Sequence, residues 1–468
     1  MICTQMPKSR FTHMQLVGSV ALAVTLGALG CAEQAVEVPE PFTRVRTERK
    51  MFPVHVPLRF DILFVVDTSP AMQGMRTTLA SNARNFASML NSISGGLPDL
   101  HIAVISSDMG TAGGTPAAGC SSKGDNADFY TGGMLFTDGK AFLSDGPEWG
   151  LPGQRLQNFQ GSLTDALVNM LALPPSTCRY AQPFRAISRA LFPLAGEPGS
   201  VGNQTGAGST GFIRSDAQLV LVVISANDDC SLAPDFLSQP IPDDEATAFR
   251  CFANSITCDE AATTIGPHHN CRPDPKPGAL SATILRKKLS QIKNDKSVLV
   301  SLITGYVPDV TQVEVANSAV PGLELTQACA YTNATSSVVA TPSLRLMEFG
   351  SKIRSNSTTT ICKEDLSDAL SQIGQTLNHV FGVPCFDGKL VEPFDCAFTE
   401  YRNYGEAQQR QRLLPLCDAS RSVTPCVGIE AEPIWCPAPS PGLAASYESG
   451  RHPVFPGTLI GLECVTTD

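Results

Sequence analysis

Asp67 and Ser69 are the residues of this chain best suited to chemistry. They lie two apart in Asp67-Thr68-Ser69-Pro70-Ala71, directly after the apolar run at 62–66. A carboxylate and a hydroxyl from one tight loop can offer hard oxygen ligands to Mg2+, Mn2+ or Ca2+. The same pair can instead order the loop or cap the following helix, since Asp and Ser do this routinely at helix starts. Asp228-Asp229 is a second acidic candidate. Asp228 could reach the same ion, the pair could bind Ca2+ independently, or it could be a solvated turn beside a disulfide at Cys230. His268-His269-Asn270-Cys271, near Cys251 and Cys258, fits no Cys-x-x-Cys zinc spacing. The chain holds no Gly-x-Ser-x-Gly elbow, no His-Glu-x-x-His helix and no Walker loop. It reads as a non-enzyme, with a hydrolase built in its insertions as the alternative.

The elements that must position these residues follow from hydrophobic period. Residues 62–66 are apolar without a break, as a strand buried on both faces reads. Met75, Leu79, Ala83, Phe86, Leu90 and Ile93 then recur at helical spacing. Strand, polar loop, helix is the opening unit of a parallel sheet, in which ligands sit at the carboxyl ends of strands. The pattern predicts further strands at 100–106, 219–224, 298–304 and 358–361, with a short one at 133–137. It predicts helices at 163–173, 183–194, 279–292, 344–353 and 365–381. The fold class read from this alternation is α/β with a doubly wound, mostly parallel sheet. Residues 110–161 and 231–278, poor in period and rich in turn formers, read as two long insertions. From residue 384 the period fades and cysteines crowd together, which suggests a small disulfide-stapled region.

A buried strand ending in Asp-x-Ser resembles the first element of a von Willebrand factor type A domain, which also has a Rossmann-like doubly wound sheet. In that family the Asp and two Ser hydroxyls help hold a divalent cation at an adhesion site. Asp67 and Ser69 match the motif, and Ala71 stands where the second Ser would be. The strand at 219–224 is followed by Ser225-Ala226, where the family usually has Thr-Asp. The site is therefore a degenerate version of the family's, and the third contributor that the resemblance implies, a Thr from a middle loop, stays open between Thr164 and Thr177. The resemblance implies Mg2+, Mn2+ or Ca2+ on Asp67 and Ser69, completed by a carboxylate of a protein partner. With Ile224-Ser225-Ala226-Asn227-Asp228-Asp229-Cys230-Ser231 and the cysteine-studded tail, the chain also resembles the type A lipoproteins numerous in myxobacteria.

The start of the chain points to the same setting. Lys8 and Arg10 precede an uncharged stretch at 14–30 that stops at Cys31, the layout of a secretory signal. Ala28-Leu29-Gly30-Cys31 resembles a bacterial lipobox, which makes Cys31 the lipidation candidate. Of the 16 cysteines, Cys3 falls in that signal. The remaining candidates are Cys120, Cys178, Cys230, Cys251, Cys258, Cys271, Cys329, Cys362, Cys385, Cys396, Cys417, Cys426, Cys436 and Cys464. In an exported chain these suggest disulfides, with Cys120 plausibly pinned to Cys178. A net charge of −10 with no basic cluster argues against nucleic acid.

The expected organisation is a signal peptide at 1–30, a tether at 31–57, a type A-like domain at 58–383 and a cysteine-rich region at 384–468. The expected function is protein binding or adhesion by a lipoprotein of the outer membrane, facing periplasm or cell surface and held by its N-terminal lipid. A metal-independent scaffolding protein is the alternative.

Overall fold

The structure is a computed structural model. It describes residues 45–53, 59–91, 97–117, 119–148, 154–192, 210–240, 246–306, 313–317, 322–333, 337–366, 369, 373, 385–418, 420, 422–431, 436, 440–448 and 458–467. The chain divides into Met1–Arg44 and Val45–Asp468, and the described residues all fall in the second. The expected signal segment and Cys31 lie outside the described residues, as does most of the helix expected at 365–381.

The central sheet has seven strands. They are β1 (Arg59–Val66), β2 (Asp99–Ser106), β3 (Leu143–Pro147), β4 (Arg155–Gln157), β5 (Gln218–Ser225), β6 (Val298–Thr304) and β7 (Ser355–Thr360), in the order β7-β6-β5-β1-β2-β3-β4. The five from β7 to β2 pair in parallel, and β3 and β4 close one edge antiparallel. Side chains alternate along β1, so Ile62 and Phe64 face one core and Leu63 and Val65 the other. Helices α1 (Arg76–Asn91) and α2 (Leu163–Leu171) fill the first core. Helices α3 (Pro183–Leu191), α4 (Ala282–Ile292) and α5 (Leu344–Ser351) fill the second.

The fold class needs correcting. Among the described residues, eleven of the fifteen strand pairings are antiparallel. The chain is mixed α/β with mostly antiparallel sheets, not a doubly wound, mostly parallel one. The reason is connectivity: each parallel neighbour needs a crossover of a dozen or more residues, whereas short turns deliver antiparallel ones. The insertions, the segment from 313 to 340 and the C-terminal region supply many short strands of the second kind.

Two local expectations also change. No strand forms at 133–137. Gly132 and Gly133 both take positive φ, 65° and 76°, and turn the chain there instead. Residues 45–53, read from sequence as tether, form a strand over Val45–Pro53 that pairs antiparallel with Leu459–Thr467. That second strand also pairs with Cys396–Arg402, which in turn pairs with Arg410–Leu414. Phe52 inserts between Phe398, Ile460 and Leu462 in a separate core, and Arg49 lies opposite Glu463, 3.2 Å away. The charged run Arg46-Thr47-Glu48-Arg49-Lys50 disguises a strand whose partner is some 400 residues distant in the chain.

Candidate functional site

Strand register brings the candidate residues together. The Asp67 N–H donates to Ile224 O at 2.8 Å and the Ser107 N–H to Val66 O at 2.9 Å, so β5, β1 and β2 end side by side. Asp67 Oδ1 then accepts the Ser69 N–H at 2.8 Å, which folds the loop back on its own carboxylate. After Ser69 the chain runs through a 3-10 turn, Pro70–Met75, into α1. Gly74 is needed in that turn: a Cβ there would lie 1.9 Å from Ser337 O, in the hairpin packed over it. On the β2 side, Thr68 Oγ1 and Ser106 Oγ share a hydrogen bond of 2.7 Å, and Ser176 Oγ donates to Asp108 Oδ2 at 2.5 Å.

The other oxygen of Asp67 meets two donors. Ser225 Oγ lies 2.9 Å from Oδ2, and Asn227 Nδ2 lies 3.3 Å from it. The same Nδ2 donates to Ser69 Oγ at 3.1 Å. Asn227 therefore bridges the two residues that sequence singled out as metal ligands. A carboxylate oxygen carries no hydrogen, so the amide must turn its NH2 side towards it. The sequence reading missed Asn227 because it looked for acids and hydroxyls. The available signal was its place two residues beyond the end of β5.

The remaining candidates serve elsewhere. Asp228 accepts the Arg345 N–H at 2.9 Å on one oxygen, and the Leu346 and Asp229 N–H groups at 3.0 and 2.8 Å on the other. It thus satisfies orphan donors at the start of α5, where the helix dipole favours an anion. Burial pushes its pKa up to about 7, against the pull of those N–H groups and of the Arg345 charge. Asp229 does the same for α3, accepting the Phe184 N–H at 2.8 Å, and it also pairs with buried Arg345 at 3.2 Å. Arg345 in turn donates to Asp229 O at 3.0 Å and to Leu280 O. Thr177 Oγ1 donates to Gly119 O at 2.7 Å, and Thr164 sits in the first turn of α2. A cleft lined by Arg179, Asn227, Asp228, Thr247, Ser255 and Pro342 opens beside Asn227.

A second polar network lies at the opposite ends of the strands. Asp61 of β1 accepts from Arg214 Nε at 2.8 Å and from the Arg214 N–H at 2.7 Å. His101 Nδ1 stands 3.7 Å from Asp61 and 2.9 Å from Phe212 O. Burial raises Asp61 to about 6, a shift that Arg214 and Lys293 oppose. Burial, reinforced by the Arg214 charge, lowers His101 to about 4.

All fourteen cysteines outside the N-terminal unit pair. The bridges are Cys120–Cys178, Cys230–Cys251, Cys258–Cys271, Cys329–Cys362, Cys385–Cys436, Cys396–Cys464 and Cys417–Cys426. The first matches the expected pairing. The sulfurs of Cys251, Cys258 and Cys271 are thereby withdrawn from the histidine pair. His268 is held between Gly266 O and Ala261 O, and His269 against Glu260. Among the described residues, no group of three or more His, Cys, Asp or Glu side chains could hold a metal ion.

The residues around Asp67 and Ser69 do not fit a divalent cation. Ala71 and Ala226 stand where further oxygens would be needed, and both pack into the apolar core under the loop. Asp67 and Ser69 are 1% and 4% exposed, so both are largely enclosed by protein atoms. The Asn227 amide spans them, with Nδ2 3.3 Å from Asp67 Oδ2 and 3.1 Å from Ser69 Oγ.

No helix among the described residues is long and apolar enough to cross a membrane. No family model and no curated protein matches the chain. Among solved structures it is similar to the pilus adhesin SpaC from Lactobacillus rhamnosus GG, with a TM-score of 0.31 and 10% identity over 92% of this chain and 42% of that one. The open conformation of SpaC gives 0.26 and 8% over the same shares. The human COPII-coat protein Sec24c gives 0.25 and 10%, over 89% of this chain and 39% of its own. The chain spans about two fifths of the length of each, and likeness at this level carries no function across.

Proposed function

We propose that the chain is a non-enzymatic binding protein of the cell envelope, held there by a lipid on Cys31. In this reading it engages a protein partner through the loops at the carboxyl ends of β1, β2, β5, β6 and β7, without a divalent cation. The observation that carries the reading is where the staples fall. Cys120–Cys178, Cys230–Cys251, Cys258–Cys271 and Cys329–Cys362 all lie in segments that leave or adjoin those strand ends. Long loops fixed by covalent links lose little freedom on docking, so binding there would cost less ordering entropy. The opposite strand ends are closed by the Asp61–Arg214 network instead.

The test is binding of the full chain to envelope fractions of the organism that carries it, in EDTA and in Mg2+. Ile265 and Val339, 57% and 55% exposed on these loops, are replaced by Asp. Leu413, 76% exposed in the C-terminal sheet, is replaced as a control. The reading expects EDTA to have no effect, the loop pair to weaken binding at least tenfold and the control to leave it intact. Binding lost in EDTA, or unmoved by the loop substitutions, would overturn it.

A further inference from the structure

We propose that Asn227 is a built-in substitute for a cation. Its amide hydrogens join Asp67 to Ser69 and fix the loop after β1 permanently in place. The inference deepens the cation-independent reading above and rests on it, but its test reads the site itself and needs no partner.

Three observations support it. The NH2 group has two hydrogens, and two acceptors stand within reach, Asp67 Oδ2 at 3.3 Å and Ser69 Oγ at 3.1 Å. The Asn227 backbone is held as firmly as its side chain. Its carbonyl lies 2.7 Å from Ser225 Oγ and its N–H donates to that oxygen at 3.2 Å. Ser225 Oγ has one hydrogen for two acceptors, Asp67 Oδ2 and Asn227 O; when it serves Asp67 while accepting the Asn227 N–H, it links both ends of the bridge. Lastly, the Asp67 carboxylate is buried among neutral donors, the Ser69 N–H, the Ser225 hydroxyl and the Asn227 amide. Dipoles take the place that a positive ion would otherwise fill.

The inference makes an isosteric change informative. Asn227→Asp removes both hydrogens and sets a second carboxylate near Asp67 Oδ2. Like charges that close destabilise each other unless a proton or a cation intervenes. Thermal unfolding of the full chain is followed in EDTA and in millimolar Mg2+, Mn2+ or Ca2+. The native chain is expected to melt at one temperature in all four. Asn227→Asp is expected to melt several degrees lower in EDTA, or to fold only with a cation, and to recover in at least one ion. Adding Asp67→Asn is expected to abolish that recovery. A native melting temperature raised by a cation, and no longer raised in Asp67→Asn, would overturn the proposal. So would an Asn227→Asp chain that melts like the native one in EDTA, or that no cation stabilises. The native measurement decides even if the variant fails to fold.

Discussion

Replacing Asp229 by Ala removes the link that joins three elements of the second core. Its carboxylate is fully buried and accepts the Phe184 N–H at 2.8 Å, the Ser231 hydroxyl at 2.7 Å and the Ser231 N–H at 3.1 Å. It also stands 3.2 Å from the Arg345 guanidinium, whose side chain is 1% exposed. Truncation to Ala leaves that guanidinium with only carbonyl partners, and breaking one side of a buried pair costs about 3–5 kcal/mol. Losing the acceptor at the start of α3 adds about 1 kcal/mol. The expected loss is therefore about 4 kcal/mol or more, measured by urea unfolding followed by far-UV circular dichroism with the disulfides intact. Adding Arg345→Met is expected to recover part of it, because an apolar side chain needs no partner there. A loss below about 1 kcal/mol, or strictly additive effects of the two substitutions, would refute the account of this network.

Further expectations follow from the other networks. The folded-state pKa of His101, about 4, lies below its ordinary 6.5, so its contribution is present above pH 6.5 and lost as pH falls towards 4. The stability of the native chain relative to His101→Gln should thus fall by roughly 3 kcal/mol between pH 7 and pH 4, read from urea unfolding at both. Asp61, raised to about 6, works in the opposite sense over pH 4 to 6 and is present in both proteins, 3.7 Å from the substituted ring. Removing Cys396–Cys464, which closes a separation of 68 residues, should cost about 4 kcal/mol in the C-terminal sheet, seen as earlier proteolysis of that region. Phe52→Ala should cost about 3–5 kcal/mol in the same sheet and free the strand Val45–Pro53 for cleavage, detectable by mass spectrometry.

How much of this was legible in the sequence depended on how local the cause was. Runs such as 219–224, apolar throughout, and 298–304, apolar except for Ser301 and Thr304, announce strands buried on both faces, and both strands form there. Val45–Pro53 was missed because it is an edge strand: half its side chains face water, and its partner is at the far end of the chain. The fold class was misjudged because period reveals strands but not which way they pair. At the site, Asp67 and Ser69 were found from their place after β1, and they do converge. Asp228 and Asp229 were legible as acids but not as anchors of α5 and α3, since those helix starts lie 117 and 45 residues away. Asn227 was invisible to a search for metal ligands, although its amide bridges Asp67 and Ser69.

The account rests on Asp67 and Ser69 being held by an amide and not by an ion. Its most direct test is calorimetric titration of Mg2+, Mn2+ and Ca2+ into the native chain, beside Asp67→Ala. The account predicts no saturable heat from either protein. Saturable binding by the native chain that disappears in Asp67→Ala would contradict it.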